Sequence, residues 1–450
     1  MLGRTFEACG RFGDRVAAIA HDETVTWTQW NVRRRQLEQE WPSLAGRRVG
    51  LAMRPSADSI AALAALERLA CDVFLLDGQQ PREDCLRRAR LLNLAAVLCV
   101  EGPAAQRAWQ LAQLPGELPG TGAGSVTILT SGTTGEPKAV RHSWEGLARP
   151  VRPTDPQSPQ RWLLTYRPHL YAGLQVVLQC LTNYGTLVLP AVEAAPDEVA
   201  RLMCTAGVQY ASATPSYWRR LILFADHERL RRVPLEQITL GGEVVDQQIL
   251  DALGQLFPAA RRIHIYATTE LGRCFSVTDG RAGFPAALLD QPLPEGVALR
   301  VVDGQLLVRS ANAMLDYDAR SPQASRPEQG WFPTGDLVVV EGDRVRFVGR
   351  ASDLINVGGD KVAPLVVEQT VREVPGVRDV RVFAQASSLA GQLVACQLVA
   401  APDWPAEEVR QAVAAHCRDK LPPTHRPRVI HLVPQVSLTD SHKTSRQAEG

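Results

Sequence analysis

The sequence lacks any apolar run long enough to cross a bilayer. Its most apolar stretch, SIAALAALERLACDVFLL (59–76), is broken by Glu67 and Arg68 and reads as a buried helix followed by a strand. It also lacks a charge excess. Lys plus Arg number 49 against 48 for Asp plus Glu, a formal net charge of +1. With no basic run interleaved with aromatics, nothing argues for nucleic acid. The N-terminal MLGRTFEACGRFGDRV carries charges throughout and no apolar core, so it is no secretory signal. The nine cysteines are scattered singly, without CxxC or paired spacing. They are expected to be reduced core residues of a cytoplasmic protein. Internal repeats are absent as well.

What is present is ordinary globular material, 45% apolar and 22% charged. The length, 450 residues, exceeds what one core serves, so two domains are expected, the larger built of subdomains. Strand candidates RRVGLAM (47–53), CDVFLL (71–76), AAVLCV (95–100), GTLVLP (185–190) and VQYASATP (208–215) alternate with helical patterns at 56–70 and 197–207. This spacing argues for α/β units with largely parallel sheet. From about 297 the texture becomes β-rich. VALRVVDGQLLVRS suggests a hairpin turning at Asp303-Gly304, and LVVVEGDRVRFVGR (337–350) a second. From 351 to 450 a small α+β pattern appears: helices at 363–374 and 405–421, strands at 377–385 and 392–400. The boundary is placed near 350.

One loop carries chemistry. TSGTTGEPKAV (130–140) crowds Gly132 and Gly135 with Ser131, Thr133 and Thr134 ahead of Lys138. Glycines admit positive φ and close backbone approach. Successive N–H groups, hydroxyls and one ammonium then make an anion nest. On its own the string also suits a glycine-rich turn. Gly135-Glu136-Pro137-Lys138-Ala139 does not fit GxxxxGK[ST], which excludes the nucleoside-triphosphatase P-loop.

Four more stretches follow: HIYATTELG (264–272), WFPTGDL (331–337) with Asp336 on a tight Thr-Gly turn, GRASDLINVGGDKVAP (349–364), and LTDSHKTSR (438–446). In this order they resemble the adenylate-forming superfamily of acyl-CoA synthetases, free-standing adenylation enzymes and luciferases, over nearly the whole chain. The resemblance implies a large domain, 1–350, holding ATP and the acid, and a small mobile domain, 351–450. It implies two steps. A carboxylate attacks the α-phosphate of ATP to give acyl-AMP and pyrophosphate, then a thiol attacks the acyl-AMP.

Such displacement needs positive charge and positioned donors rather than a nucleophilic side chain. The resemblance gives Thr130 through Lys138 the β- and γ-phosphates, Glu270 the Mg²⁺, Thr269 the α-phosphate, and Tyr266 the adenine face. Gly242 and Glu243 join the nucleotide site. Asp336 would accept both ribose hydroxyls, with Arg350 as a second contact. Lys443 would bridge carboxylate and α-phosphate. The small domain would then rotate and bring Gly358 and Gly359 to line a thiol tunnel, about a hinge just after Arg350.

Two positions depart from the family pattern. Ser352 stands at the hinge, where an acid or lysine is common, and His442 replaces the glycine before Lys443. The acyl pocket would lie among 161–175, 210–218, 241–245 and 264–270, with His169, Tyr171, Gly173, Tyr217 and Gly241 as its residues. The 161–175 segment contains no acid to pair an ammonium, which argues against an α-amino acid. An aryl or medium apolar acid is expected, and Arg167 or His169 could meet a second polar group on it. The acceptor is CoA or the phosphopantetheine of a separate carrier protein. No nucleic acid or integral membrane association is expected, and a homodimer is left open. A nucleotide-binding sensor without turnover and a luciferase-like oxygenase are the rival readings.

Overall fold

The computed structural model describes residues 1–101, 108–116, 118–130, 137–318, 329–387 and 391–436. Two sheets share one helical layer; the first is mixed, with a parallel centre and antiparallel strands at both edges, and the second is largely parallel. The first runs, in spatial order, Asp316–Tyr317, Lys138–His142, Ser125–Thr130, Asp72–Asp77, Arg48–Met53, Ala96–Glu101 and Ala108–Gln113. The second runs Gly272–Val277, Arg261–Thr268, Gln237–Gly241, Tyr210–Ala213, Arg161–Leu164, Thr186–Leu189, Val16–Ala20 and Thr24–Thr26.

Helices Ala57–Arg68 and Tyr171–Thr182 lie between the sheets, and both sheets contribute to one continuous core with them. This explains the composition of the first helix. Ala57 and every residue from Ser59 to Leu66 are buried, so it has no polar face to keep. Ser56 starts it by accepting from the Ser59 amide. Helices Pro196–Thr205, Pro215–Phe224 and Gln247–Leu256 cover the outer face of the second sheet. Helix Arg82–Leu91 covers the outer face of the first. Strands Arg48–Met53, Asp72–Asp77, Arg161–Leu164 and Thr186–Leu189 end at one cleft, the usual place for a ligand in such folds.

The strands and helices expected from the sequence are present. Helix Trp27–Glu40 escaped the sequence reading because its inward stripe, Trp27, Trp30, Arg34 and Leu37, contains an arginine. Arg34 is buried, and Asn31 and Glu38 receive its guanidinium.

A six-stranded antiparallel sheet follows: Phe284–Pro285, Arg344–Arg350, Phe332–Glu341, Gln305–Arg309, Val297–Val302 and Pro292–Leu293. Its hairpin turns at Asp303-Gly304, with φ +49 and +73, as the sequence suggested. WFPTGDL differs from expectation. It lies mostly within strand Phe332–Glu341, and register slips between the Leu307–Pro333 and Gln305–Leu337 pairs. Thr334, Gly335 (φ +76) and Asp336 therefore form a bulge inside a strand rather than a tight turn.

Strand Arg344–Arg350 is followed by the short turn Ala351–Asp353 and then by a separate core, formed from Ile355 to Leu421. Around this core lie hairpin Ile355–Val357/Asp360–Val362, helices Pro364–Arg372 and Ala406–Lys420, and strands Val377–Ser387, Gly391–Ala400 and Val429–Leu432. The last strand was not foreseen; it pairs parallel with Gly391–Ala400. Among the described residues no helix is long and apolar enough to cross a membrane.

Candidate active site

The clearest convergence lies where strand Arg261–Thr268 meets the bulge at 334–336. The Tyr266 phenol donates to Asp336 Oδ2 at 2.5 Å, and Arg350 Nε lies 3.0 Å from Asp336 Oδ1. Arg350 also donates to the Thr334 carbonyl at 3.0 Å, while the Asp336 amide donates to the Thr334 hydroxyl. The carboxylate is thus aimed from both sides before any ligand arrives. Burial, with Asp336 beside it, pushes the Tyr266 hydroxyl well above its ordinary pKa, so it stays a donor. The role expected for Tyr266 shifts accordingly. Phe275 and Phe347 stack on its ring, at 5.2 and 5.3 Å between centroids. Its hydroxyl orients Asp336, and its ring belongs to an aromatic cluster of the protein itself.

A second convergence involves the phosphate side. Thr130 and Lys138 face one another across paired strands. Four residues beyond Lys138, His142 reaches the Thr269 carbonyl through Nε2 at 2.8 Å. Burial drives the His142 pKa down to about 4, so the imidazole is neutral and donates there. The Met314 amide donates to the Glu270 carbonyl, and the Tyr317 hydroxyl lies 3.5 Å from Glu270 Oε1. Tyr317 itself pairs with Val140 on the Lys138 strand. The Thr269-Glu270 turn is therefore tied to the strand that starts at Lys138. His142 and Tyr317 escaped the sequence reading because neither stands in a recognisable motif.

A cleft is lined by Met53 and Asp77 from strands of the first sheet, by Tyr166, Arg167 and His169 just after strand Arg161–Leu164, and by Tyr217 and Arg220 on helix Pro215–Phe224. Leu164, Pro190, Val192 and Val199 supply apolar wall. Asp77 Oδ2 lies 3.0 Å from Arg167 Nη1, and Asp77 Oδ1 lies 3.8 Å from His169 Nδ1. The segment 161–175 has no acid, yet the cleft does, delivered by a strand nearly a hundred residues earlier. Arg167 and His169 are turned to that acid rather than standing ready for a polar group of the substrate.

Tyr171, Gly173 and Gly241 are not in the cleft lining. Tyr171 packs on His142. A Cβ on Gly173 would sit 2.2 Å from the Arg167 carbonyl oxygen, so this glycine lets helix Tyr171–Thr182 close onto the loop. Gly241 accepts from the Tyr166 hydroxyl at 3.0 Å. Gly242 needs its positive φ of +82, and Glu243 caps helix Pro215–Phe224 by accepting the Ser216 amide and hydroxyl. Gly358 and Gly359 sit at the tip of an exposed hairpin, with open space where a Cβ would be. Ser352 is exposed beside Asp353, to which its hydroxyl donates. Ser131, Gly132, Thr133, Thr134, Gly135, His442 and Lys443 lie outside the described residues.

Comparison with known proteins gives the family. Residues 116–317 match the family of AMP-binding enzymes, and residues 366–443 match the AMP-binding enzyme C-terminal domain. A probable 2-succinylbenzoate–CoA ligase of Mycobacterium tuberculosis is 29% identical over 72% of this chain and 83% of its own. The fatty acid–[acyl-carrier-protein] ligase MmaC of Mycobacterium marinum is 27% identical, over 74% of this chain and 69% of its own. In fold, the anthranilate CoA ligase AuaEII, solved with anthranoyl-AMP, is similar with a TM-score of 0.79. It is 18% identical, over 98% of this chain and 95% of that one. By its matched domains and its fold, the chain belongs to the adenylate-forming superfamily of AMP-binding enzymes.

Proposed function

We propose that this chain activates an aryl or medium apolar carboxylic acid as its acyl-adenylate and passes the acyl group to the thiol of CoA. The activity is that of an AMP-forming acid–thiol ligase using ATP, Mg²⁺ and CoA. The observation that carries the nucleotide half is the preset Asp336 carboxylate, held between Tyr266 and Arg350. A carboxylate with both oxygens oriented suits a pair of vicinal hydroxyls, as on a ribose.

The remaining roles follow the same corner. Lys138 sits at the base of the strand tied to Thr269 and Glu270, where it would meet the outer phosphates. His142 holds the Thr269 carbonyl and so fixes the backbone from which the Thr269 hydroxyl would turn toward the α-phosphate. Mg²⁺ would neutralise phosphate charge, and the donor set fits it: one hard carboxylate, Glu270, with phosphate oxygens completing the shell. Among the described residues no group of three or more His, Cys, Asp or Glu forms a cage. Lys443 would bridge the acid and the α-phosphate. Gly242 and Glu243 shape the wall between nucleotide and acid.

The acid class rests on the cleft. Asp77 pairs with Arg167 within it, Gln79, Thr165, His169 and Arg220 add polar groups, and the rest of its wall is apolar or aromatic. A cationic substituent would find Asp77 already engaged by Arg167, and most of the wall is apolar or aromatic, which favours an uncharged acyl group. Carrier-protein phosphopantetheine is the second reading of the acceptor, favoured by the likeness to MmaC. Nine free cysteines, eight of them buried, fit a reducing compartment, and we assign the cytoplasm.

The test is acid-dependent exchange of pyrophosphate into ATP without thiol, across aryl, fatty, dicarboxylic and amino acids. Exchange with aryl or medium apolar acids supports the proposal, and dicarboxylic or amino acids alone would refute the acid class. ATP binding without exchange for any acid would favour the sensor. Adding CoA, or a phosphopantetheinylated carrier, then identifies the acceptor.

A further inference from the structure

The seam between the large domain and the small one is built on buried charge. Arg219, on helix Pro215–Phe224, pairs with Asp246, the cap of helix Gln247–Leu256. From the small domain, Arg372 Nη1 lies 3.8 Å from the same Asp246, and Arg372 Nη2 lies 3.8 Å from Asp379. Gln248 donates across the seam to the Arg372 carbonyl at 2.6 Å. All four charged side chains are at most 15% exposed. Burial works against the Asp246 carboxylate, but Arg219 and Arg372 outweigh it and hold its pKa below the ordinary value. For Asp379 burial wins over the same two arginines, and its pKa rises.

Next to the quartet the seam opens into a cleft lined by Ser216, Arg220, Leu223 and Phe224 on one side and Asp379, Val399, Gln435 and Val436 on the other. Buried charge beside open space is the opposite of a welded apolar interface. A buried pair contributes little to net stability against an apolar alternative, yet it is strict about geometry. Such a seam selects one orientation and can release it.

The orientation selected is legible. The Gly358-Gly359 hairpin is exposed, with nothing within 4 Å of where a Cβ would stand on either glycine. Val436 lines the seam's cleft together with Ser216, whose amide and hydroxyl are held by Glu243. A hairpin so exposed lines no tunnel, so the orientation held is not that of the thiol step.

We propose that Arg219, Asp246, Arg372 and Asp379 form an interdomain latch that positions the small domain for acyl-adenylate formation and must part before thioester formation. This rests on the two-step reading above. None of the four is a catalytic residue; each acts by setting where the small domain sits.

The experiment uses the full-length protein with Arg372→Gln, and separately Asp246→Asn, which keeps an acceptor for the Ile249 amide. Two half-reactions are measured: pyrophosphate exchange, and thioester formation from supplied acyl-adenylate and CoA. Energy transfer between a label on each domain reports the orientation without any turnover. A shift of the small domain, with exchange falling about tenfold and thioester formation unchanged or faster, is expected. Equal loss in both half-reactions, or no change in energy transfer, overturns the latch. Absence of exchange in the unsubstituted enzyme would overturn the two-step reading instead, while energy transfer still reports on the quartet. If Arg372→Gln does not fold, Gln248→Ala removes one bond from an exposed side chain and must move both readouts the same way, more weakly.

Discussion

Two seams in this molecule are built on opposite principles. Between the two sheets, helices Ala57–Arg68 and Tyr171–Thr182 are packed into one apolar core that runs from face to face. Between the large and small domains, two arginines and two aspartates meet beside an open cleft. Apolar burial is non-directional and additive, so the first seam has no alternative arrangement of comparable stability. Charge pairing is directional and carries a desolvation cost, so the second is satisfied in one geometry and offers little resistance once that geometry is lost. The crevice that needs fixed walls is placed on the first. The residues expected to take turns at the site, Lys443 and the Gly358-Gly359 hairpin, are carried beyond the second.

The sharpest way to break this contrast is Leu63→Ala. Leu63 is fully buried between the sheets, and its truncation should cost about 2–5 kcal/mol in denaturant titration, with nucleotide and acid sites failing together. A loss confined to one site would show that the sheets do not form one cooperative unit. Lys443→Ala should next slow acyl-adenylate formation by roughly 100- to 1000-fold while sparing thioester formation from supplied acyl-adenylate. Equal loss in both steps would remove the division of labour that the second seam implies. Asp336→Ala should then weaken ATP binding by about 1.5–3 kcal/mol in calorimetry, with little effect on the acid cleft. Unchanged affinity would take the ribose away from this corner.

The smallest effect is graded with pH. His142 and His264 have pKa values pushed down from 6.5 to about 4, chiefly by burial. The unfolded chain takes up these protons first, so stability should fall as pH drops from 6.5 towards 4. The slope is about 1.4 kcal/mol per pH unit for each histidine. Replacing His142 by glutamine should flatten that slope; an unchanged slope would mean that His142 is not neutral in the fold.

Much of the molecule was legible along the chain. The alternation of short apolar strands with helical patterns, and the change of texture near 297 and 350, follow from period and turn chemistry, which are local properties. Helix Trp27–Glu40 was hidden by Arg34, because an arginine on an inward stripe looks polar until Asn31 and Glu38 are seen around it. Asp77 was hidden for a different reason. It lies nearly a hundred residues from Arg167, and only the facing of two sheets brings them together. One compositional signal went unused. The chain contains four lysines, Lys138, Lys361, Lys420 and Lys443, against a Lys plus Arg total of 49. Three of them fall inside the motif stretches, and the scarcity alone would have drawn attention to Lys361 on the exposed glycine hairpin.

By itself the sequence determined the superfamily, the order of its parts and the residue types available to ATP, because phosphate loops, bulges and hinges are written in contiguous residues. Only the tertiary structure decided that Tyr266 serves Asp336 rather than presenting an open ring. It alone placed Asp77 against Arg167 where the two sheets face, and Arg372 against Asp246 at the seam between domains. Those pairings join residues far apart in the chain. Whether opposite charges meet there depends on distance and burial, which no local pattern encodes.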